Sequence, residues 1–296
     1  TVADVAAHYY SVPAGYLETL YHAAAVSLRN SIYQYLSVEE KHYYAFKQVV
    51  QNRGDHGSKL NLKPLLLTRL VKHLKGELRA ARRLQPGEET WRQTHNHYVA
   101  YIAFWLLFAT GYRAVNDLIF RWREIDFASG FLAISDKDDE AMSQARVAWL
   151  LPELRDQLRQ YASHLEVLQA RLYQRASLYE HLEAVLSEPQ PDVPLMFFIS
   201  DSWQMVQLSP ENLRRHVPLF TLPVNASRHY LRSALRAEGV RGELVNAFMG
   251  HAQQGQEPFG AFSTLTPVEM FRELAPVLSK MRREAGWTVQ QGLADD

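Results

Sequence analysis

Apolar residues recur at helical spacing along most of this chain, and strand-like alternation is confined to a few short stretches. From Tyr16 to Leu36 the spacing predicts a helix, and Ser37-Val38-Glu39-Glu40 reads as a further helix start with a capping-box pattern. The polar, glycine-containing run from Asn52 to Ser58 ends this N-terminal helical part. Lys63 to Leu84 is amphipathic at a period near 3.6 and is stopped by Gln85-Pro86-Gly87. Tyr98 to Tyr112 is the most apolar stretch. At about fifteen residues it falls short of the roughly twenty that cross a bilayer, so it predicts a helix buried in a protein core, with Gly111 at its stop. Phe131 to Ser135 and Arg146 to Leu151 flank the acidic loop Asp136 to Gln144 and predict a β-hairpin. Pro152 then opens one very long helix, Glu153 to about Leu186. Leu195 to Ile199 is a further short strand, and Ser209-Pro210-Glu211 is a helix start with proline at its first position. Pro267 to Arg283 is an amphipathic last helix.

Together these elements predict a mainly α fold with a small β-sheet, of α+β class, and no internal repeat. Rossmann and barrel arrangements are excluded, because they need strands and helices in regular alternation. Residues 1–57 form an expected N-terminal helical domain or part of one, and residues 58–296 a second domain. Nearly half the chain is apolar, enough for a sizeable core. There is no cysteine, which removes disulfides, thiol nucleophiles and cysteine-ligated zinc, and agrees with a reducing, cytoplasmic setting. The first residues, Thr1-Val2-Ala3-Asp4, show no basic region followed by an apolar run, so no signal peptide is expected.

Formal net charge is zero, from 32 basic and 32 acidic residues, which by itself counts against a nucleic-acid binder. The charge is uneven, however. Lys59, Lys63, Arg69, Lys72, Lys75, Arg79, Arg82 and Arg83 crowd one segment in which Glu77 is the lone acid. That segment reads either as a solvated helix face or as a surface that meets phosphates.

Phosphate loops, HExxH and nucleophile elbows are missing. His95 and His97 stand two apart, so on a helix they face different sides and read as packing or surface histidines rather than a metal pair. Three separated motifs remain: Ala109-Thr110-Gly111-Tyr112-Arg113-Ala114-Val115-Asn116-Asp117, Asn225-Ala226-Ser227-Arg228-His229-Tyr230-Leu231, and Phe248-Met249-Gly250-His251. Each alone is weak, since an arginine after a glycine is usually an ordinary surface or ion-pair residue.

In order and spacing the three motifs resemble those of the tyrosine recombinases, the phage-integrase type, over roughly residues 94 to 275. The resemblance implies the DNA breaking-rejoining catalytic fold, preceded by a helical segment that helps clamp DNA. It implies a site-specific recombinase or integrase of a mobile element, held in the cytoplasm on DNA, with double-stranded DNA as partner, tetramers on paired sites, and no membrane, metal or cofactor. Planar guanidinium groups grip phosphate oxygens bidentately and keep their charge, so Arg113 and Arg228 would stabilise the pentacovalent phosphorus. Lys137, which stands alone between Lys75 and Lys280, matches the hairpin lysine that protonates the leaving 5′ oxygen, though a solvent-facing lysine among Asp136, Asp138 and Asp139 fits it too. His251 matches the histidine that hydrogen-bonds the scissile phosphate.

Two positions depart from the pattern. Asn225 stands where histidine or lysine is usual, and can donate a hydrogen bond but not exchange a proton near neutral pH. The nucleophilic tyrosine is expected about nine residues after His251, yet no tyrosine follows Tyr230. Phe262, or alternatively Phe259, would hold that position, keeping the packing of tyrosine and lacking its attacking oxygen. A Tyr→Phe replacement made to hold DNA uncut, a natural relative that only binds DNA, or a tyrosine delivered from elsewhere would each account for it. A non-catalytic DNA-binding accessory protein on the same scaffold is the rival reading, and a helical protein-interaction module a third.

Overall fold

The structure, a computed structural model, describes Ser27 and residues 62–114, 120–135, 145–187, 193–251, 259 and 264–294. The chain divides into two compact units, Thr1–Lys59 and Leu60–Asp296. Ser27 is an exposed helical residue; the rest of the expected segment 1–57 lies outside the described residues. Every other described element belongs to the second unit.

That unit is mainly helical, with two small antiparallel sheets. In chain order it runs α1 (Pro64–Arg82), α2 (Glu88–Thr110), a 3-10 turn (Trp122–Glu124), β1 (Ile125–Asp126), β2 (Phe131–Ser135), β3 (Ala145–Trp149), α3 (Pro152–Arg171) and α4 (Ala176–Leu186). There follow β4 (Phe197–Ile199), β5 (Met205–Gln207), α5 (Pro210–His216), α6 (Ala226–Ala237), α7 (Gly242–Met249) and α8 (Pro267–Ala285).

The centre is α2. Its second half, Tyr98 to Phe108, is buried on every face, which explains why it reads as a continuous apolar run rather than a stripe. Helices α1, α3 and α6 and strand β4 pack around it. Among the described residues, no helix is long and apolar enough to cross a membrane. Trp105 and Tyr101 are essentially fully buried, and burial of such large side chains stabilises by roughly 1.5–3 kcal/mol each.

The predicted hairpin forms as β2 and β3, with Ile134 opposite Arg146 and Phe131 opposite Trp149. Its loop, Asp136 to Gln144, lies outside the described residues. Strands β1 and β5 are too short to leave a period in the sequence; each is fixed by its partner, Ile125 opposite Leu132 and Ile199 opposite Met205. One expectation is corrected. The long helix from Glu153 to about Leu186 is two helices, α3 and α4. The Leu172 N–H is shared between the carbonyls of Leu168 and Gln169, a tightened helix end, and Arg175 N–H closes a turn on Leu172. Tertiary contacts hold the break: Arg175 pairs with Glu88 at 2.5 Å and lies 4.8 Å over the Trp203 ring.

Helix starts follow local chemistry. Ser209 Oγ accepts from Asn212 N–H at 3.1 Å, and Thr266 with Glu269 forms a reciprocal capping box. After α8, residues 287–293 run back across α2 and α3. Trp287 stacks on Trp105 with ring centres 5.6 Å apart. Tyr101 donates to the Thr288 carbonyl, and Tyr98 and Gln157 donate to that of Gln290.

Candidate functional site

Two helix ends define the site. Helix α2 stops at Gly111 and α7 at Gly250, each glycine in the left-handed region at φ +62° and +64°. Both glycines belong to the sequence motifs, and each serves as a helix stop that turns the next side chain. Arg113 follows the first stop and His251 the second. Thr110 Oγ1 accepts from Tyr112 N–H at 3.2 Å, which fixes the turn leading to Arg113.

Arg228 sits in the first turn of α6 with only 8% of its surface exposed. Its Nη1 donates to the Gly111 carbonyl at 2.7 Å, and its Nη2 donates to the Met249 carbonyl and to His251 Nε2, the latter at 2.9 Å. A guanidinium has no acceptor, so His251 Nε2 must accept, and the ring proton resides on Nδ1. Burial first, and then the charges of Arg228, Arg232, Arg113 and Arg146, depress the pKa of His251 to about 4. The ring is therefore neutral at pH 7. His229 is lowered as well, by burial and then by Arg228, Arg232 and Arg113. Arginines from α6, β3 and the turn after α2 thus send positive potential into one small region.

Of the predicted site residues, Arg113, Arg228 and His251 belong to this region. Asn225 stands at the start of α6, where its carbonyl accepts from the N–H groups of Arg228 and His229. Its buried side-chain oxygen has no hydrogen-bond partner. Lys137 and Phe262 lie outside the described residues; Phe259, the alternative, is exposed.

The sequence did not single out Arg146. It is 8% exposed, donates from Nη1 to the Phe248 carbonyl at 2.8 Å and from Nη2 to the Gly111 carbonyl at 3.1 Å. The Gly111 carbonyl thus receives two guanidinium groups, one from α6 and one from β3. The carbonyls at a helix C-terminus carry partial negative charge, and both arginines meet it there.

Chemically, this arrangement suits a tetrahedral oxyanion: several fixed cations, a neutral imidazole offering one N–H, and no proton exchange near neutral pH. Among the described residues no cluster of three or more histidines, carboxylates or cysteines is placed to hold a metal ion. Models of protein families, curated proteins and solved structures were compared with the chain, and none matches it.

Proposed function

We propose that this chain is a catalytic domain of tyrosine-recombinase type that grips a phosphodiester of double-stranded DNA, and that it lacks the nucleophile needed to cut it. The observation that carries the reading is the meeting of Arg228 and His251 at 2.9 Å, with the charge of Arg113 acting on the same imidazole. The mainly helical fold with a small sheet is compatible with it. In the reaction so assigned, a tyrosine oxygen attacks phosphorus and forms a 3′-phosphotyrosyl ester, while the 5′ oxygen leaves and takes a proton from Lys137. Arg113 and Arg228 balance the charge that develops on the non-bridging oxygens, and His251 donates Nδ1–H to one of them. A DNA-binding accessory role is the second reading, favoured by the absence of any tyrosine after Tyr230.

Phe262→Tyr and Phe259→Tyr, each offered a nicked suicide duplex, test it. A covalent protein–DNA adduct is expected in one tyrosine form and not in the parent, and Arg228→Ala in that background slows adduct formation by about a hundredfold or more. No adduct at either position, with duplex still bound, assigns the accessory role; no duplex binding at low salt overturns both readings.

A further inference from the structure

Arg146 belongs to none of the three motifs, yet its contacts tie together the elements that present the site. Its two terminal nitrogens reach the ends of different helices: the Gly111 carbonyl closing α2, two residues before Arg113, and the Phe248 carbonyl near the end of α7, three residues before His251. It rises from β3 opposite Ile134, so the hairpin is joined to both helix ends through one side chain. Its path is also sterically fixed. A methyl group on Gly250 would lie 2.7 Å from Arg146 Cδ, so the turn carrying His251 is moulded around this arginine. Both terminal nitrogens hold backbone carbonyls and the side chain is nearly enclosed.

We propose that Arg146 is a positioning residue for the anion pocket: its planar fork sets the spacing between the Arg113 turn and the His251 turn. The proposal rests on the phosphate-binding reading given above. The physical reason is geometric. Two carbonyls on separate helices are held at fixed separation by one rigid, permanently charged group, whereas an ammonium is a point donor on a flexible stem. Arg228 accepts the same constraint, because it shares the Gly111 carbonyl and bonds His251. Moving either helix end therefore misaligns the arginine and the imidazole together.

The test uses the full chain with inorganic phosphate as probe, followed by the histidine ring nitrogen signals in 15N NMR. In the parent protein His251 is expected as the Nδ1–H tautomer, with phosphate shifting its signals. Arg146→Lys and Arg146→Gln are each expected to weaken phosphate at least about tenfold, with Arg113 and Arg228 intact, and to mix the His251 tautomers. Failure of lysine to rescue separates positioning from charge alone. Should either variant not fold, Gly250→Ala keeps Arg146 while displacing it, and is expected to give the same loss and the same mixed tautomer. Parent-like phosphate affinity and a parent-like His251 tautomer in the folded variants, with Arg228→Ala abolishing binding, overturn the positioning role and leave the phosphate reading standing. No phosphate-dependent shift of His251 in the parent overturns the phosphate reading and this role with it.

Discussion

Gly250 and Gly239 share a backbone conformation but not an environment, and the difference measures how tightly the site is packed. Both have positive φ, +64° and +79°. A methyl group at Gly239 would meet nothing within 4 Å, whereas at Gly250 it would meet Arg146 Cδ at 2.7 Å. Gly239→Ala is therefore expected to cost only the left-handed penalty, about 1–2 kcal/mol. Gly250→Ala should cost a further 1–3 kcal/mol or so, because a buried guanidinium with two carbonyl partners has no easy place to go. Urea unfolding of the two variants checks this, and equal losses would mean that Arg146 yields freely. At this scale the sequence reveals the residues whose type is unusual for their neighbourhood: an arginine after a helix-stopping glycine, and a glycine–histidine pair. Arg146 escapes because its partners are backbone carbonyls of Gly111 and Phe248, which any sequence supplies. His95 escapes in the same way, since its partner His164 lies on another helix, 69 residues along the chain.

Helices, strands and turns were legible where their period runs long or their caps are strong. Helices α1 and α8 follow the apolar stripe, Ser209 marks the start of α5, and the β2–β3 pair stands out by its apolar runs. The break between α3 and α4 was not legible, because neither glycine nor proline marks it and the Arg175 contacts come from distant elements. The basic segment shows what patterning alone misses. Arg69, Lys72 and Arg79 are exposed on α1, and Lys63 and Arg83 at its two caps, but Lys75 turns inward and donates to the Gly286 carbonyl at 2.9 Å, closing the end of α8. Burial, and then Arg79, lower its pKa. If α1 meets the DNA backbone, these cations separate into two kinds. Replacing Lys72 and Arg79 together with glutamine should reduce the slope of log binding constant against log salt by about 2, near 0.9 for each phosphate no longer neutralised. Lys75→Gln should leave that slope unchanged and lower stability by about 1 kcal/mol through the uncapped helix. Duplex binding across a potassium chloride series reads both. A slope that is the same in the double variant would make α1 a solvated face.

Across the whole molecule, the formal charge of zero conceals a separation in which cations gather at the site while buried histidines stay neutral. The deepest of these form an oriented chain. Leu293 N–H donates to His164 Nδ1, so His164 keeps its proton on Nε2 and donates to His95 Nδ1, and His95 Nε2–H donates to the Phe197 carbonyl. Every atom is satisfied only while both rings are neutral; an added proton would set N–H against N–H. Burial is the first cause of both depressed values, taking His95 to about 3 and His164 well below its ordinary value. The unfolded chain takes up these protons as pH falls through about 6.5, and the folded chain does not, so the unfolded state binds more protons throughout that range. Stability should thus be level above about pH 6.5 and decline below it, each ring contributing up to about 1.4 kcal/mol per pH unit. His216 and His251, both near 4, act in the same direction. Because Leu293 anchors the returning segment, the acid-sensitive link also holds residues 287–293 on α2 and α3. Urea unfolding at pH 7.5, 6.0 and 5.0 should show that decline. In His95→Gln/His164→Gln the loss between pH 6.0 and 5.0 should shrink by about 2 kcal/mol, although the variant starts less stable. An undiminished loss in the double variant would mean that the other histidines, rather than this chain, govern the response to acid.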